Sequence, residues 1–480
     1  MDLGWYLERC LSSLSKKELL RLRCPVCPGR TPQGVRKRHG VPAISVLTFV
    51  AFVCLLFCCF IPLGCDMGQN FRAKQPQEQL TLVTWNLQAL FDGSETGTEY
   101  ADYRHSKGWT EEKYLERISQ IQEALAGWLP QGPDILALEE IENKEVLEAL
   151  NGCFKEKAYP YAVFSKNADA ALGIGVLSRY RIIDQRSHFG YRQGAEGQRP
   201  ILELVLDTGK ESLVVFVCHW KSKKGKDDTE RFRRDSAAII QRRIRELLGT
   251  TDTHGPIQFS VAEASENKED TDLKQGYPQE NQKREAGKVT SRRDDLSLGA
   301  ILVVGDLNEN YDEFERQGKT RITALLPTTE EAGRLVQLQQ RKKERRSSFN
   351  LRGGDYSLED PSLKGSGETP PFSWPEDVLL LRDSFQISQD ETLRDLTFYS
   401  PWQESPFAGS YWYKGAWETI DHVLLHSSLG DGKGWEFASF GVAQQTPFVN
   451  EEGYPVAYNP QTGKGVSDHL PLLVVLKYVE

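Results

Sequence analysis

From Leu80 onward, short apolar runs recur along the chain, and most of them end on an acid, an amide or an imidazole. Leu80-Thr-Leu-Val-Thr-Trp85 alternates as a strand does, and Ile135-Leu-Ala-Leu138 reads as a short buried strand. Gly173 to Ser178, Ile201 to Leu206 and Ser212 to Cys218 continue the series, and Ala300 to Val304, Ile420 to Leu425 and Leu470 to Val475 complete it. Two stretches carry the other period. Residues 110–129 place Tyr114, Leu115, Ile118, Ile121, Leu125 and Trp128 on one helix face, and Pro130 closes it. Thr229 to Leu248 reads as an Arg-rich helix, and 329–346 as an amphipathic helix ending in Arg341-Lys-Lys-Glu-Arg-Arg346, a run suited to a solvated face. Short strands with interspersed helices predict a layered α/β domain with packed sheets.

Before Leu80 the pattern differs. Val41 to Pro62 is almost unbroken apolar sequence, preceded by Arg36-Lys37-Arg38. About 20 apolar residues cross a bilayer as a helix, with the basic flank on the cytoplasmic side. The run ends in Ile61-Pro-Leu-Gly-Cys65, which resembles a bacterial lipoprotein signal with Cys65 as the lipidated residue; an uncleaved single span is the other reading. Either places the remainder outside the cytoplasm, in the cell envelope and held at a membrane. Four regions are therefore expected. Residues 1–40 are an N-terminal extension that a downstream start codon would leave untranslated, and 41–65 are the signal or anchor. Residues 66–77 are a tether, and 78–480 are the globular domain. Within that domain, about 250–296 is polar, poor in aliphatics and aperiodic, and reads as a disordered insertion.

The net charge of −9 excludes a polycation that coats nucleic acid in bulk, so an anionic substrate needs locally placed Arg, Lys or metal. Of nine cysteines, only Cys65, Cys153 and Cys218 lie beyond Gly64, too few for a disulfide framework. Cys24-Pro-Val-Cys27 lacks a second Cys/His pair at zinc-ligand spacing.

The chemistry concentrates where strands end. Asn86 follows Leu82–Trp85, Glu139 and Glu140 follow Leu138, and His219 follows Val214–Cys218. Asp306 and Asn308 follow Ile301–Gly305, Asp421 and His422 sit within an apolar segment, and Asp468 and His469 precede Leu470. Sheet edges present catalytic groups rigidly. Carboxylates supply hard oxygen ligands for Mg2+, and imidazoles move protons near neutral pH.

In order, TWNLQ, DILALEEIEN, HWKSK, GDLNEN and VSDHLPL resemble the motifs of the endonuclease/exonuclease/phosphatase superfamily, over about residues 80–475. That group includes pancreatic deoxyribonuclease, abasic-site endonucleases, sphingomyelinases and inositol-polyphosphate 5-phosphatases. The resemblance implies an α/β four-layered sandwich of two packed mixed β-sheets flanked by helices, as in deoxyribonuclease I. It also implies a Mg2+ site, with Mn2+ or Ca2+ as substitutes, built on Glu140 and completed by Asn86 and Asp468. His469 is then the general base, oriented by Asp421, while Asp306 positions the water. Asn308 and His219 donate to phosphoryl oxygens. Arg199, in GQRPIL, resembles an Arg-Pro element of extracellular bacterial members and contacts substrate phosphate. Glu139 and Glu142 are expected as surface or supporting acids, and His105, His188, His422 and His426 as structural.

The Cys-Asp-Arg signature of inositol 5-phosphatases is absent, and position 88 is Gln where abasic endonucleases carry an acid. An exported, monomeric nuclease or general phosphodiesterase acting on nucleic acid is the first expectation. A sphingomyelinase-like phospholipid phosphodiesterase is the second, and a catalytically idle surface lipoprotein that binds host ligands the third. The aromatic cluster Tyr411-Trp-Tyr413 to Trp417 reads either as core packing or as a platform for a base or lipid.

Overall fold

Valine-, isoleucine- and leucine-rich runs form strands that are buried along most of their length, as in Ser212–His219, where every residue is buried. The computed structural model describes residues 78–190, 199–224, 229–249, 298–350, 372–385 and 396–480, without the side chains of 344–350. The expected signal segment, Cys65, the tether up to residue 77 and the 250–296 insertion lie outside these residues. Among the described residues, no helix is long and apolar enough to cross a membrane.

In chain order the elements are β1 (Gln79–Leu90), α1 (Glu111–Trp128), β2 (Ile135–Ile141), α2 (Lys144–Cys153), β3 (Tyr161–Ser165), β4 (Gly173–Ser178), β5 (Arg181–His188), β6 (Ile201–Asp207) and β7 (Ser212–His219). There follow α3 (Glu230–Leu247), β8 (Leu298–Asp306), α4 (Glu313–Arg316), β9 (Leu325–Pro327), α5 (Glu330–Asn350), β10 (Leu379–Arg382) and β11 (Thr397–Tyr399). The last are β12 (Tyr411–Tyr413), β13 (Ala416–Glu418), β14 (Asp421–His426), β15 (Gly434–Val442) and β16 (Leu472–Val479).

Two mixed sheets carry the fold. One runs β15-β16-β1-β2-β4-β3 and the other β5-β6-β7-β8-β14-β11-β10-β9, while β12 and β13 form a separate hairpin. Pairs β1–β2 and β7–β8 are parallel, and β1–β16 and β8–β14 are antiparallel. The inner faces share one core, with Leu82, Leu138 and Val176 of the first sheet joining Val215, Val304 and Val423 of the second. On the second sheet's outer face, Val214, Phe216, Val303 and Leu424 pack with Ile240 and Ile244 of α3. A smaller cluster seats Val336 of α5 against Leu326 and Leu380. The result is the expected α/β sandwich of two packed mixed sheets flanked by helices.

Helix α1 starts where Thr110 accepts a hydrogen bond from the Lys113 amide, and Glu111 and Glu112 complement its dipole. It buries Tyr114, Ile118, Ile121 and Leu125, each contributing roughly 1.5–3 kcal/mol. Gly175 on β4 lets α2 lie close, because a Cβ there would sit 2.8 Å from a Leu147 methyl. The expected strands all form, most of them longer by one to several residues. The charged, half-exposed β5 and the short β3, β9, β10 and β11 were not legible from apolar runs. The Arg-rich α3 departs from a plain solvated face. Arg231 is exposed, but Arg234 is half-buried and pairs with Asp377 at 2.7 Å, and Arg233 and Arg243 are buried against Glu309 and Glu203.

Candidate active site

Strand register brings the polar strand ends to one edge. His219 and Asp421 are both register partners of Asp306, on β7 and β14 either side of β8. Gly305, at φ +119°, is needed here, since a Cβ would come 2.0 Å from the Cys218 carbonyl oxygen. On the other sheet Asn86 is the register partner of Glu139. The two edges meet where Asn86 Nδ2 donates to Asp306 Oδ2 at 3.0 Å.

His469 is held on three sides. Its Nδ1 faces Asp421 Oδ2 at 2.8 Å, and its carbonyl accepts from Trp85 Nε1 at 2.9 Å. Tyr411 stacks over its ring at 4.5 Å between centroids. Asp421 is itself fixed by Ser410 Oγ, which donates to Oδ2 at 2.5 Å. Burial works against charge on His469, but the carboxylates of Asp421, Asp468 and Asp306 outweigh it and hold the imidazole well above its ordinary value. The Nε2 atom faces the basin, 4.0 Å from Asp468 Oδ1.

His219 has the opposite character. Burial, then the charges of Arg199 and His469, push it well below its ordinary value, so it stays neutral. Its Nε2 lies 3.4 Å from Asp306 Oδ2 and 3.5 Å from Glu140 Oε1, and Arg199 Nη1 contacts the same nitrogen. Arg199 thus belongs to the site. Asp306 accepts from the Asn308 amide at 2.8 Å, and burial together with Asp421's charge raises it to about 7.

A bulge aims Glu140. Between Asn86 and Leu90 on β1, and Glu139 and Ile141 on β2, the register shifts; Gln88, Ala89 and Glu140 take φ of 53°, 57° and 64°. Glu140 Oε2 accepts from the Ala89 amide at 2.7 Å, leaving Oε1 toward His219. The buried Arg117 clamps the bulge, donating to the carbonyls of Leu87, Gln88 and Ala89 with its guanidinium 3.9 Å over the Tyr458 ring. Gln88 Oε1 accepts from the amides of Tyr458 and Asp468 at 2.7 and 3.0 Å. Gln88 therefore fixes the Asp468 backbone, which explains an amide at that position.

Two expectations change and one narrows. Of the surface and supporting roles expected for Glu139 and Glu142, the surface one is excluded: both are buried, and Glu139 lies under the basin with Oε1 on Thr84 at 2.9 Å and Oε2 without a partner. Burial and Asp421's charge raise Glu139 well above the carboxylate range, so it is neutral in this setting. Asn308, expected to reach phosphoryl oxygens, donates Nδ2 to the Trp220 carbonyl at 3.1 Å. Asn86, expected as a metal ligand, uses both ends of its amide: Oδ1 accepts from the Gln88 amide at 2.9 Å while Nδ2 holds Asp306. His422 is structural as expected, facing the Glu309 carbonyl at 2.7 Å. Ser410 and Arg117 escaped sequence reasoning because their partners are distant in the chain, and Gln88 and Tyr411, noted there, were not given these positioning roles.

Residues 81–290 match the model of the Endonuclease/Exonuclease/phosphatase family. The chain carries a domain of that family over those residues. It is a phosphoric ester hydrolase of a group of metal-dependent phosphodiesterases and nucleases. The match ends before Asp306, Asp421 and His469, which the geometry just described brings together at the same edge. No curated protein sequence matches the chain. Among solved structures, TDP2 of Caenorhabditis elegans is similar at 9% identity and TM-score 0.40, covering 83% of this chain and 74% of that one. An endonuclease/exonuclease/phosphatase family protein from Bacteroides thetaiotaomicron is similar at 12% identity and TM-score 0.39, covering 84% and 100%. TDP2 of D. rerio, solved with a single-strand DNA product, gives 11%, 0.39, 83% and 98%.

The superfamily implies a metal, and this site suits one. Asp306, Asp421 and His469 each bring a ligating atom within 4.8 Å of the others, and Glu140 is close enough to raise Asp468 after burial does so. Since Asp421 is engaged by His469, the oxygen donors on the Glu140 and Asp468 side are the ones open to a hard divalent cation. Burial and neighbouring carboxylates drive Asp306 and Asp468 toward the neutral form, so the site gains from a cation.

Proposed function

We propose that the chain is an exported Mg2+-dependent nuclease that hydrolyses phosphodiester bonds with His469 as general base. The observation that carries this reading is the Asp421–His469 hydrogen bond at 2.8 Å, with the far nitrogen directed to a basin of carboxylates. Glu140 and Asp468 would hold the cation, with Asn86 fixing Asp306 beside them; the cation when bound neutralises charge on phosphoryl oxygens and the leaving oxygen. His469 Nε2 takes the proton of the attacking water, and Asp421 stabilises the imidazolium that forms. Asp306 accepts from that water and orients it. Arg199 donates to the phosphoryl oxygens and supplies fixed charge, its guanidinium held by neutral His219, whose Nε2 accepts from it. The apolar run 41–62 and Cys65 hold the enzyme at the envelope membrane, where nucleic acid outside the cytoplasm is the available polymer.

One observation favours a phospholipid substrate as the second reading. The β12–β13 hairpin beside His469 carries a half-exposed aromatic cluster, with Trp412 and Tyr454 ring centroids at 4.4 Å and Tyr413 38% exposed. Plasmid nicking and sphingomyelin hydrolysis, run in parallel with Mg2+, decide between them. The nuclease reading expects nicking by the wild type, none by His469→Ala, and no sphingomyelin turnover. Sphingomyelin turnover without nicking overturns it.

A further inference from the structure

Away from the catalytic basin, a cavity of about 200 Å³ lies between the first turn of α3, the segment leading into β9, and α5. Arg231, Arg234, Arg321, Ile322 and Gln339 line it, with Glu230. Glu230 is already engaged, since its Oε2 accepts from Arg233 at 2.5 Å and its Oε1 from the Ala324 amide at 2.7 Å. Arg234 Nη2 pairs with Asp377 at 2.7 Å, while its Nε is buried without an acceptor. Arg231 and Arg321 are exposed at the surface. The walls thus bring together three guanidinium groups whose planar forks suit phosphate oxygens.

The cavity is coupled to the catalytic edge by short, buried links. Arg233, on the same turn of α3, donates to Glu309 at 2.9 Å and to the Lys221 carbonyl at 3.1 Å. Glu309 follows Asn308 in sequence, and Lys221 follows Trp220, whose carbonyl accepts from both Asn308 and Arg199. Cationic side chains also continue past the cavity on α5, where Lys342 lies one turn beyond Gln339 and Arg341 beside it, both exposed. A polymer of phosphates, rather than a lone anion, is the ligand that uses such a succession.

We propose that this cavity is a backbone-phosphate subsite, engaging a nucleic-acid strand at a phosphate remote from the scissile one. The proposal rests on the nuclease reading for its ligand, and its test does not depend on turnover. The full chain, in chelator, is titrated with a fluorescently labelled 20-nucleotide single strand at several salt concentrations. Vesicles of phosphatidylglycerol form a second arm, and Mg2+-dependent hydrolysis of bis-p-nitrophenyl phosphate a third. The variant is Arg231→Glu with Arg321→Glu.

The expected result is strand affinity weakened about tenfold or more, with the salt slope shallower by roughly 1 to 2, as for one or two lost phosphate contacts. Hydrolysis of the small ester stays within about twofold of wild type, because neither arginine touches the reacting atoms. Unchanged strand affinity overturns the subsite. So does equal loss of affinity and small-ester hydrolysis, which would assign the arginines to the fold, and so does a loss confined to vesicles. A protein that binds the strand through these arginines yet cleaves only phospholipid upholds the subsite and overturns the nuclease reading.

Discussion

His469 Nδ1 and Ser410 Oγ converge on one oxygen of Asp421, at 2.8 and 2.5 Å, so the base and a hydroxyl 59 positions earlier are set by the same carboxylate. Asp421→Asn should therefore lower kcat by about 10²–10⁴, the span of general-base catalysis, with the far-UV spectrum and melting cooperativity kept. Ser410→Ala removes one hydrogen bond, about 1 kcal/mol, and should cost about tenfold or less. Steady-state kinetics on a small diester checks both. Equal losses in the two variants would mean that Asp421 acts only by packing.

The same pair sets a pH profile. His469 is held well above its ordinary value, and only its neutral form takes a proton. The rate should rise with pH through an apparent pKa above 6.5, and Asp421→Asn should move that limb to lower pH while lowering its plateau. A limb that stays put in the variant assigns the titration to another group.

Asp306 gives a stability signature in the metal-free protein. Its folded-state pKa, about 7, exceeds the ordinary aspartate value of 3.8, so the folded state keeps a proton that the unfolded chain has lost. That contribution is fully present below about 4 and disappears as pH rises through about 7. Asp306→Asn does not titrate. Its melting temperature relative to wild type, measured in chelator, should increase steadily from pH 5 to pH 8, and saturating Mg2+ should restore the wild type preferentially. A difference independent of pH contradicts the raised carboxyl.

Much of this centre was legible in the chain because each candidate group lies beside a short aliphatic run, near its end or at its start, and strand ends on one edge of a sheet are neighbours. Asn86, Glu140, His219, Asp306, Asp421 and His469 all follow that logic. The reading failed where a residue's role depends on three-dimensional partners. In Leu138-Glu139-Glu140 simple alternation would put the two acids on opposite faces, one wet, but the bulge turns Glu140 into the basin and leaves Glu139 buried beneath it. Arg117 sits on a helix with an ordinary amphipathic pattern, and nothing local marks it as the clamp on the bulge. Ser410 precedes Asp421 by about ten residues, just before the short β12, where periodicity carries no signal.

Arg117→Ala should test the clamp. It strips a buried donor from the carbonyls of Leu87, Gln88 and Ala89, and each orphaned acceptor costs about 1–3 kcal/mol, so a loss of about 3 kcal/mol or more is expected in urea unfolding. Residual folded protein should bind Mg2+ more weakly, because Glu140 is held through Ala89. Wild-type metal affinity in that variant separates the bulge from the site.

Glu139→Gln asks whether the buried acid is neutral. A protonated carboxylic acid and an amide are nearly isosteric, so activity should stay within about threefold and stability above pH 7 should not fall. A loss of about 10²-fold in kcat would instead make Glu139 an ionised participant.

The centre as a whole is tested most directly by calorimetric titration of Mg2+ coupled to bis-p-nitrophenyl phosphate hydrolysis in wild type, Glu140→Gln and His469→Ala. Wild type should bind the ion and turn over the diester. Glu140→Gln should lose affinity by about tenfold or more, and His469→Ala should bind the ion but turn over about 10²–10⁴ times more slowly. Hydrolysis that survives intact in His469→Ala, or that needs no divalent ion, would contradict the account.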